Sequence, residues 1–476
     1  MKLKRLILFL LIPITFMACK KVIEIQETDL IAGAVALKSV ANNESAIIGA
    51  YGGVGVEMDI LLNATLSDEM KTAGEFYNAA STHEWQYSST DIGIRDNFNA
   101  IVPQYRTINR VNLVLEALPK AEALATGDEG KRLSLRGEGL FLRAFAHFQL
   151  FRYYCGPYTP TGLAMPYMKN TSFAPQARIE MAPFFQNLIA DITEAKTLLP
   201  NSLTEKNRAT VVAANGLHAR IALYMNDWAT AETQSTAFIN ALPLSTIAEF
   251  PGIWTDANAS EVAMQIIRTT TVRIGSLFRG TSANTANIGT VTWMPTDKIW
   301  DSYDKINDVR FNAYFVNEPL LTAAGRQPRL IKKYAGSTYA TALENVNNAK
   351  VLRTAEMYLI RAEARAELNK FTGVNSAESD INTLRTNRIT GYVPVVFTSK
   401  TEAIDAIMLE RFKELAYEGH RFWDLKRKNL PVSRLVSDAP NVAGTTLPAG
   451  DYRFLLPILQ TELNANAAII QNPGYN

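Results

Sequence analysis

The middle of the chain carries two consecutive helical patterns, and they constrain the fold more than any other feature of the sequence. Large side chains recur at i, i+4, i+7, i+8 and i+11, so they line one face of a helix: Leu217, Ile221, Tyr224, Met225 and Trp228. Thr210 is placed to cap the start of this helix, and Asn226-Asp227 interrupts it before a second helical segment over residues 229–239. Small alanine residues in both segments would let the two helices approach closely. The pattern therefore predicts an antiparallel hairpin of two helices.

Further helical patterns occur on both sides of this hairpin. A second apolar stripe has the spacing i, i+3, i+7 and i+11: Met357, Ile360, Ala364 and Leu368. Two capping boxes are predicted to open the next two helices: Asn375 with Glu378, and Ser399 with Glu402. A third arm is indicated within residues 142–154. These arms resemble tetratricopeptide hairpins, but they are too unequal and too far apart for a regular solenoid.

The predicted fold class is mostly α, with a single large helical domain over residues 46–476. We expect helical hairpins near 136–240 and 351–427. Between them, residues from about 240 to 340 are rich in Thr, Asn, Gly and Pro and contain short β-like runs such as Val262–Ile267. Because binding residues concentrate on loops, we expect this loop-rich insertion, with few short strands, to carry the ligand-binding region.

The N-terminus predicts export and lipid attachment. A basic start precedes an apolar run of 13 residues, 6–18, which is shorter than the roughly 20 residues of a membrane span and contains Pro13. This pattern is typical of a signal peptide. Phe16-Met17-Ala18-Cys19 resembles a bacterial lipobox, so we predict a signal peptide over 1–18, a lipid on Cys19 and a tether over 19–45. The alternative is an ordinary signal peptide in which Cys19 occurs by coincidence.

The net charge bears on the class of ligand, and the cysteine content bears on how the folded protein is stabilised. The formal net charge of +2 becomes −1 once residues 1–18, with their three basic side chains, are removed. A nearly neutral mature chain offers no net-charge argument for nucleic-acid binding. Apart from Cys19 the sequence contains only Cys155, so the exported protein must be stabilised by its apolar core rather than by a disulfide.

The sequence carries no catalytic or metal-binding signature. None of the four histidines (His83, His147, His218 and His420) has a second ligand at helical spacing, and Asp301, Asp304 and Asp308 do not fit a calcium loop. We therefore expect no metal and no cofactor.

Glu410, Glu414 and Glu418 lie on one helix face, near Lys413, Arg421 and Arg427. Glu356 and Glu363 lie near Arg353, Arg361 and Arg365 in the same way. A lattice of ion pairs between helices accounts for these carboxylates, and a glycosidase pair about 5–9.5 Å apart is the alternative.

Aromatic residues in polar loops are the better functional lead. A flat ring can cover the apolar face of a sugar while neighbouring polar groups bind its hydroxyls. The candidate ligand-binding residues are Trp85, Tyr87, Tyr77, Trp293, Trp300 and Tyr303. The alternative is that each ring anchors its own loop to the helical scaffold.

Several segments in one order resemble the SusD/RagB family of outer-membrane nutrient-binding lipoproteins. The clearest are RGEGLFLRAFAHFQLFRYYCGPY (136–158), VLRTAEMYLIRAEARAELN (351–369), LERFKELAYEGHRFWDLKR (409–427) and LLPILQTELNANAAIIQNPGY (455–475). Weaker similarities lie at 46–53, 105–118 and 207–231. The resemblance covers most of the mature chain.

This resemblance implies a helical fold with tetratricopeptide-like hairpins and no catalysis. It implies a lipoprotein at the outer membrane, facing the cell exterior, that binds glycan and passes it to a partner TonB-dependent transporter. Three alternatives stay open: an oligopeptide ligand in the same transport system, a surface glycoside hydrolase, and a purely structural partner of the transporter.

Overall fold

The computed structural model describes residues 36–73, 80–172, 174–278, 291–323, 325–336 and 343–475. Cys19, the signal peptide and most of the predicted tether lie outside the described residues. The helices of the described part are α1 (Val40–Tyr51), α2 (Val56–Leu66), α3 (Ala80–His83), α4 (Ile92–Asn97), α5 (Ile101–Ala117), α6 (Asp128–Tyr154), α7 (Met181–Leu198), α8 (Val211–Met225), α9 (Trp228–Ala241), α10 (Phe250–Ile253), α11 (Asp297–Trp300), α12 (Val309–Tyr314), α13 (Pro319–Ala323), α14 (Thr354–Glu367), α15 (Ala377–Thr386), α16 (Lys400–Glu414), α17 (Arg421–Arg427) and α18 (Gln460–Ala465). The mostly α fold class is confirmed.

The strands are short and pair two by two in antiparallel fashion. They are β1 (Met70–Thr72), β2 (Leu163–Ala164), β3 (Ile179–Glu180), β4 (Val262–Ile266), β5 (Trp293–Pro295), β6 (Phe315–Asn317), β7 (Arg329–Ile331), β8 (Ala349–Arg353), β9 (Val432–Ser433) and β10 (Thr446–Leu447). The pairs are β1 with β5, β2 with β3, β4 with β8, β6 with β7, and β9 with β10. The predicted β-like run at 262–267 is β4.

The hairpin predicted in the middle of the chain is formed by α8 and α9. Thr210 caps α8, because its side chain accepts a hydrogen bond from the amide of Ala213. Asn226 ends α8 in the left-handed region at φ 58°, and Asp227 caps α9 through the amide of Thr230. One turn therefore closes the first helix and opens the second.

The long helix α6 lies between α5 and α7 and forms the centre of the N-terminal half. Its close approach to α5 depends on Gly139, where an added side-chain carbon would lie 2.9 Å from Leu115 Cδ2. On the other side, a carbon at Gly137 would lie 3.1 Å from Leu198 Cβ. Two glycines on one helix thus allow two neighbouring helices to pack against its backbone.

The C-terminal helices α14, α15 and α16 pack around a smaller apolar cluster that contains Leu359, Ile381 and Ile407. The capping box predicted at Asn375 and Glu378 is wrong by one residue. Ser376 caps α15 and exchanges hydrogen bonds with Ser379, as a capping box requires.

The other predicted box is half formed. Ser399 caps α16 by accepting from the amide of Glu402, but the Glu402 carboxylate accepts from the amide of Thr398 instead of that of Ser399.

The stretch Val40–Leu66 is, by length and composition, apolar enough to cross a membrane. In the fold it is divided at Gly52–Gly55 into α1 and α2. Val40, Ile47, Ile60 and Leu62 from the two helices belong to the main apolar core, which extends along the chain as far as Leu459. The stretch therefore contributes core helices to the globular body.

Candidate functional site

The predicted aromatic platform is not exposed in the structure. Trp85, Tyr87, Trp293, Trp300 and Tyr303 are each at most 5% exposed. Tyr77 lies outside the described residues. The five described rings therefore present no exposed stacking surface, which agrees with the alternative that each ring anchors its own loop to the scaffold.

Trp85 and Tyr87 anchor their loop to two separate parts of the fold. The indole nitrogen of Trp85 donates to the main-chain oxygen of Leu66 at 3.0 Å, and the guanidinium of Arg434 lies 4.1 Å from the centre of its ring. The Tyr87 hydroxyl donates to the main-chain oxygen of Arg453. Both rings pack inward because their polar atoms find main-chain partners there.

The other three rings fill the interior of the insertion. Trp293, in β5, packs edge-on against His83 at 5.2 Å between ring centres. The ring centres of Trp300 and Phe311 lie 4.9 Å apart. The Tyr303 hydroxyl donates to the main-chain oxygen of Lys413 at 2.7 Å. The partners of Trp293 and Tyr303 come from distant segments, and that of Trp300 from the next helix of the insertion.

The acidic residues of α16 and the following turn form a buried ion-pair lattice. Glu410 contacts Arg310 at 2.5 Å, Glu414 contacts Arg353 at 2.6 Å, and Glu418 contacts the same Arg353 at 2.7 Å. Burial opposes ionisation, but the guanidiniums of Arg310 and Arg385 lower the pKa of Glu410 to about 2. A carboxylate held ionised in this way has no proton to donate as a general acid.

The lattice exists as predicted, but most of its cations differ from those predicted. Lys413, Arg421 and Arg427 pair with Asp308, Asp68 and Glu363 instead of with the acidic face of α16. Glu356 pairs with Arg220 from α8. Arg361 and Arg365 both contact Asp380. The partners come from distant segments, which sequence proximity could not indicate.

The histidines and the aspartates of the insertion have structural contacts. His147 Nδ1 lies 2.8 Å from the oxygen of Arg143, and its Nε2 accepts from the amide of Met168 at 2.9 Å. Burial lowers the pKa of His147 to about 3, so the ring is neutral. Asp308 caps α12 and pairs with Arg310. Among the described residues, no group of three or more His, Cys, Asp or Glu side chains is arranged to hold a metal ion.

A surface pocket of about 350 Å³ lies between α5 and α18, with residues 166–172 and 174–176 as its third wall. We call it the α5–α18 pocket. Its apolar surface is formed by Ile101, Val102, Ile108, Pro166, Met168 and Ile469. Its polar groups are Asn109, Asn112, Asn170, Ser172, Gln176, Asn466 and the carboxylate of Glu462. The Tyr105 ring, half-buried, also lines it.

Hydrogen bonds from α5 hold the third wall in place. The Tyr105 hydroxyl donates to the oxygen of Pro166 at 2.9 Å, and Asn112 Nδ2 donates to the oxygen of Met168 at 3.0 Å. From α6, Arg143 Nη1 donates to the oxygen of Lys169 at 2.9 Å. Pro166, Met168 and Lys169 of this wall are therefore held in place by contacts with the helices behind them.

The C-terminal side is connected to the same wall. Asn466 Nδ2 donates to the oxygen of Gln176 at 2.8 Å. Glu462 Oε1 accepts from Asn99 Nδ2 at 3.3 Å. Three segments widely separated in sequence thus form one preorganised pocket whose apolar floor carries amide groups at its rim, a lining suited to small amphipathic ligands.

Sequence reasoning missed this pocket, although the helix that forms one side of it was noted. Residues 105–118 were singled out only as a family-like segment. The available signal was the pair Asn109 and Asn112 on an otherwise amphipathic helix, three residues apart and therefore on one face.

Comparison with known proteins assigns the family. The sequence profile of the SusD family matches residues 321–475, and a second profile, described as starch-binding associating with outer membrane, matches residues 35–223. The SusD-like protein P2 of Formosa agariphila is 23% identical, and the alignment covers 98% of this chain and 99% of the relative. The chain belongs to the SusD/RagB family.

Solved structures of this superfamily share the fold. A SusD superfamily protein from Bacteroides thetaiotaomicron superposes with a TM-score of 0.78 at 22% identity, over 91% of this chain and 100% of the other. A structure described as a laminarin-binding SusD-like protein superposes with a TM-score of 0.70 at 20% identity, over 92% of this chain and 100% of the other.

Proposed function

We propose that the chain is a non-catalytic lipoprotein of the outer-membrane surface that captures glycan and passes it to a partner TonB-dependent transporter. The observation that carries the glycan part is the α5–α18 pocket, found in a chain of the SusD/RagB family. Its apolar floor suits the C–H face of a sugar ring, and its rim amides can both donate to and accept from hydroxyls. One fold relative is described as laminarin-binding, which supports the same ligand class.

Other observations support capture without catalysis. Glu410, Glu414 and Glu418 are buried in ion pairs with arginine, and the pKa of Glu410 is lowered to about 2. The basic start, the short apolar run and Cys19 favour export and lipid attachment. One matching profile is described as associating with outer membrane, which fits a protein tethered at that surface.

Release to a transporter requires reversible binding, so we expect affinities between micromolar and millimolar, about −8 to −4 kcal/mol. The first test is thermal-shift and calorimetric screening of soluble protein starting at Lys20 against oligosaccharides, polysaccharides and peptides. We expect a glycan to bind and to be recovered intact, as judged by its reducing ends. Hydrolysis would support the glycoside hydrolase, and protection by peptides alone would support the oligopeptide alternative.

Membrane attachment and the partner need a separate test. Full-length protein expressed in its native host should enter the outer-membrane fraction, incorporate labelled fatty acid and co-purify with a transporter. Cys19→Ala should abolish the label while leaving the purified body folded. Equal labelling of this variant would contradict lipid attachment at Cys19.

A further inference from the structure

The residues that line the α5–α18 pocket include one negatively charged side chain and no positively charged one. Glu462 is the one formally charged side chain among the residues that line it, and all of these lie in the described part of the chain. Arg143 lies behind the third wall, but its donors are already bound to Asp191, Asn112 and the oxygen of Lys169. An anionic ligand entering the pocket would therefore meet a carboxylate and no unpaired lining cation.

Glu462 has acceptor capacity to spare. Its Oε1 receives one long hydrogen bond, 3.3 Å from Asn99 Nδ2. Within the described part of the chain its side chain forms no salt bridge, and Oε2 has no hydrogen-bond partner. The residue is half-buried. A carboxylate in this position can accept from one or two hydroxyl groups, and hydrogen bonds to a charged acceptor are roughly twice as strong as neutral ones.

The rim amides complement that acceptor. Asn109 and Asn170 are exposed, and their side chains form no hydrogen bond with the described part of the chain. Each amide presents both a donor and an acceptor, as a hydroxyl does. The apolar floor, with Ile108 and Met168, offers no polar partner and suits a C–H face. These groups together match a polyhydroxylated ligand without charge.

We infer that the α5–α18 pocket selects uncharged saccharides over uronate-containing or sulfated ones, with the Glu462 carboxylate as the residue that determines this specificity. The inference rests on the proposed glycan-binding function and adds the chemical class of the glycan. Glu462 acts in two ways: it accepts from sugar hydroxyls, and it repels carboxylate and sulfate groups.

The test compares size-matched probes by calorimetry at low ionic strength, where charge effects are least screened. Laminarin and starch oligosaccharides serve as uncharged probes, and oligogalacturonates as anionic probes. We expect the uncharged class to contain a ligand that binds at least about tenfold more tightly than any oligogalacturonate. Glu462→Gln should weaken that ligand about tenfold and reduce the discrimination against anions. Asn109→Ala should weaken it as well.

The control is Asp405→Asn, which removes one negative charge from an exposed position on α16, outside the pocket. It should leave both affinities unchanged. Because Glu462 lies in the first turn of α18, thermal unfolding of Glu462→Gln must be measured beside binding. Asn109→Ala, on the exposed face of α5, keeps the test informative if Glu462→Gln unfolds.

The outcomes separate the two proposals. Tight binding of oligogalacturonate would overturn the selectivity while leaving glycan capture intact. Binding of an uncharged glycan that neither Glu462→Gln nor Asn109→Ala weakens would overturn the pocket assignment. Binding of peptides and no glycan would overturn the proposed function itself, and the inference with it.

Discussion

The side-chain amide of Asn112 on α5 donates a hydrogen bond to the main-chain oxygen of Met168 at 3.0 Å, although 56 residues separate the two in sequence. The same side chain accepts from Arg143 Nη1 at 3.1 Å through its oxygen. One buried amide thus joins α5, α6 and the third wall of the α5–α18 pocket. Asn109 lies one helical turn earlier and makes no such bond. Asn112 therefore supports the wall of the pocket, whereas the amide of Asn109 is available to a ligand.

Asn112→Ala should destabilise the protein, whereas Asn109→Ala should not. The first change removes the donor to the Met168 oxygen and one of the two acceptors of Arg143 Nη1, which costs about 1–3 kcal/mol. The second removes an exposed side chain and should stay within about 0.5 kcal/mol. Urea denaturation measures both. Equal stability of the two variants would show that the wall does not depend on Asn112.

Trp85→Ala should act on stability and not on ligand affinity. The ring is 1% exposed and its nitrogen donates to Leu66, so truncation leaves a cavity and an unpartnered carbonyl. The expected loss is about 3–5 kcal/mol in the free energy of unfolding. Trp85→Phe should lose less, because most of the ring volume is kept. If Trp85→Ala abolished glycan binding in protein of unchanged stability, the ring would belong to a ligand surface after all.

The parts of the fold that follow from local rules could be predicted from the sequence. Apolar spacing and a capping threonine located α8, because burial of one helix face and N-capping both depend on neighbouring residues. The cap of α15 was misplaced by one residue for a local reason. Asn375 takes the left-handed conformation at φ 54°, and Ser376, next to it, becomes the cap.

The candidate site could not be predicted, because it is assembled by tertiary contacts. Its walls come from residues near 101–112, 166–172, 174–176 and 462–469. The burial of the aromatic residues could not be predicted for the same reason. Trp300 looks like a free ring in a polar loop until Phe311 and Phe315 cover it. Whether a ring in such a loop is exposed depends on partners that the local sequence does not reveal.

Glu414→Gln should be among the most destabilising single changes in the lattice. Its two oxygens receive hydrogen bonds from Arg310, Arg353 and Arg388 at 2.6–3.2 Å. Removing the negative charge leaves buried guanidiniums undercompensated, which costs about 3–5 kcal/mol. Glu205→Gln, at an exposed position, is the matched control and should change the free energy of unfolding by less than about 0.5 kcal/mol. If Glu414→Gln changed the free energy of unfolding as little as Glu205→Gln does, the lattice would have no structural role.

Glu69 should make the protein less stable as the pH rises from 5 to 8. Its carboxyl is fully buried. Oε1 accepts from the amide of Tyr417 at 3.1 Å, and Oε2 has no hydrogen-bond partner among the residues that the structure describes. Burial, helped by the negative charge of Asp68, raises the pKa of Glu69 to about 8. The folded protein therefore keeps this proton up to about pH 8, whereas the unfolded chain releases it near the ordinary value for glutamate. The stabilisation is fully present below that ordinary pKa and is lost as the pH rises through the folded value.

Glu69→Gln removes this titration, because the amide is neutral at every pH. Urea denaturation at pH 5 and pH 8 should show a smaller decline in the free energy of unfolding for the variant than for the wild type. One proton contributes about 1.4 kcal/mol per pH unit, so we expect the declines to differ by at least about 2 kcal/mol. The buried histidines, whose pKa values are lowered, also contribute to the pH dependence of stability. Their contribution is the same in both proteins, so it cancels when the two declines are compared. Glu205→Gln should follow the wild-type curve, and a parallel curve for Glu69→Gln would mean that Glu69 is already ionised in the folded protein at pH 5.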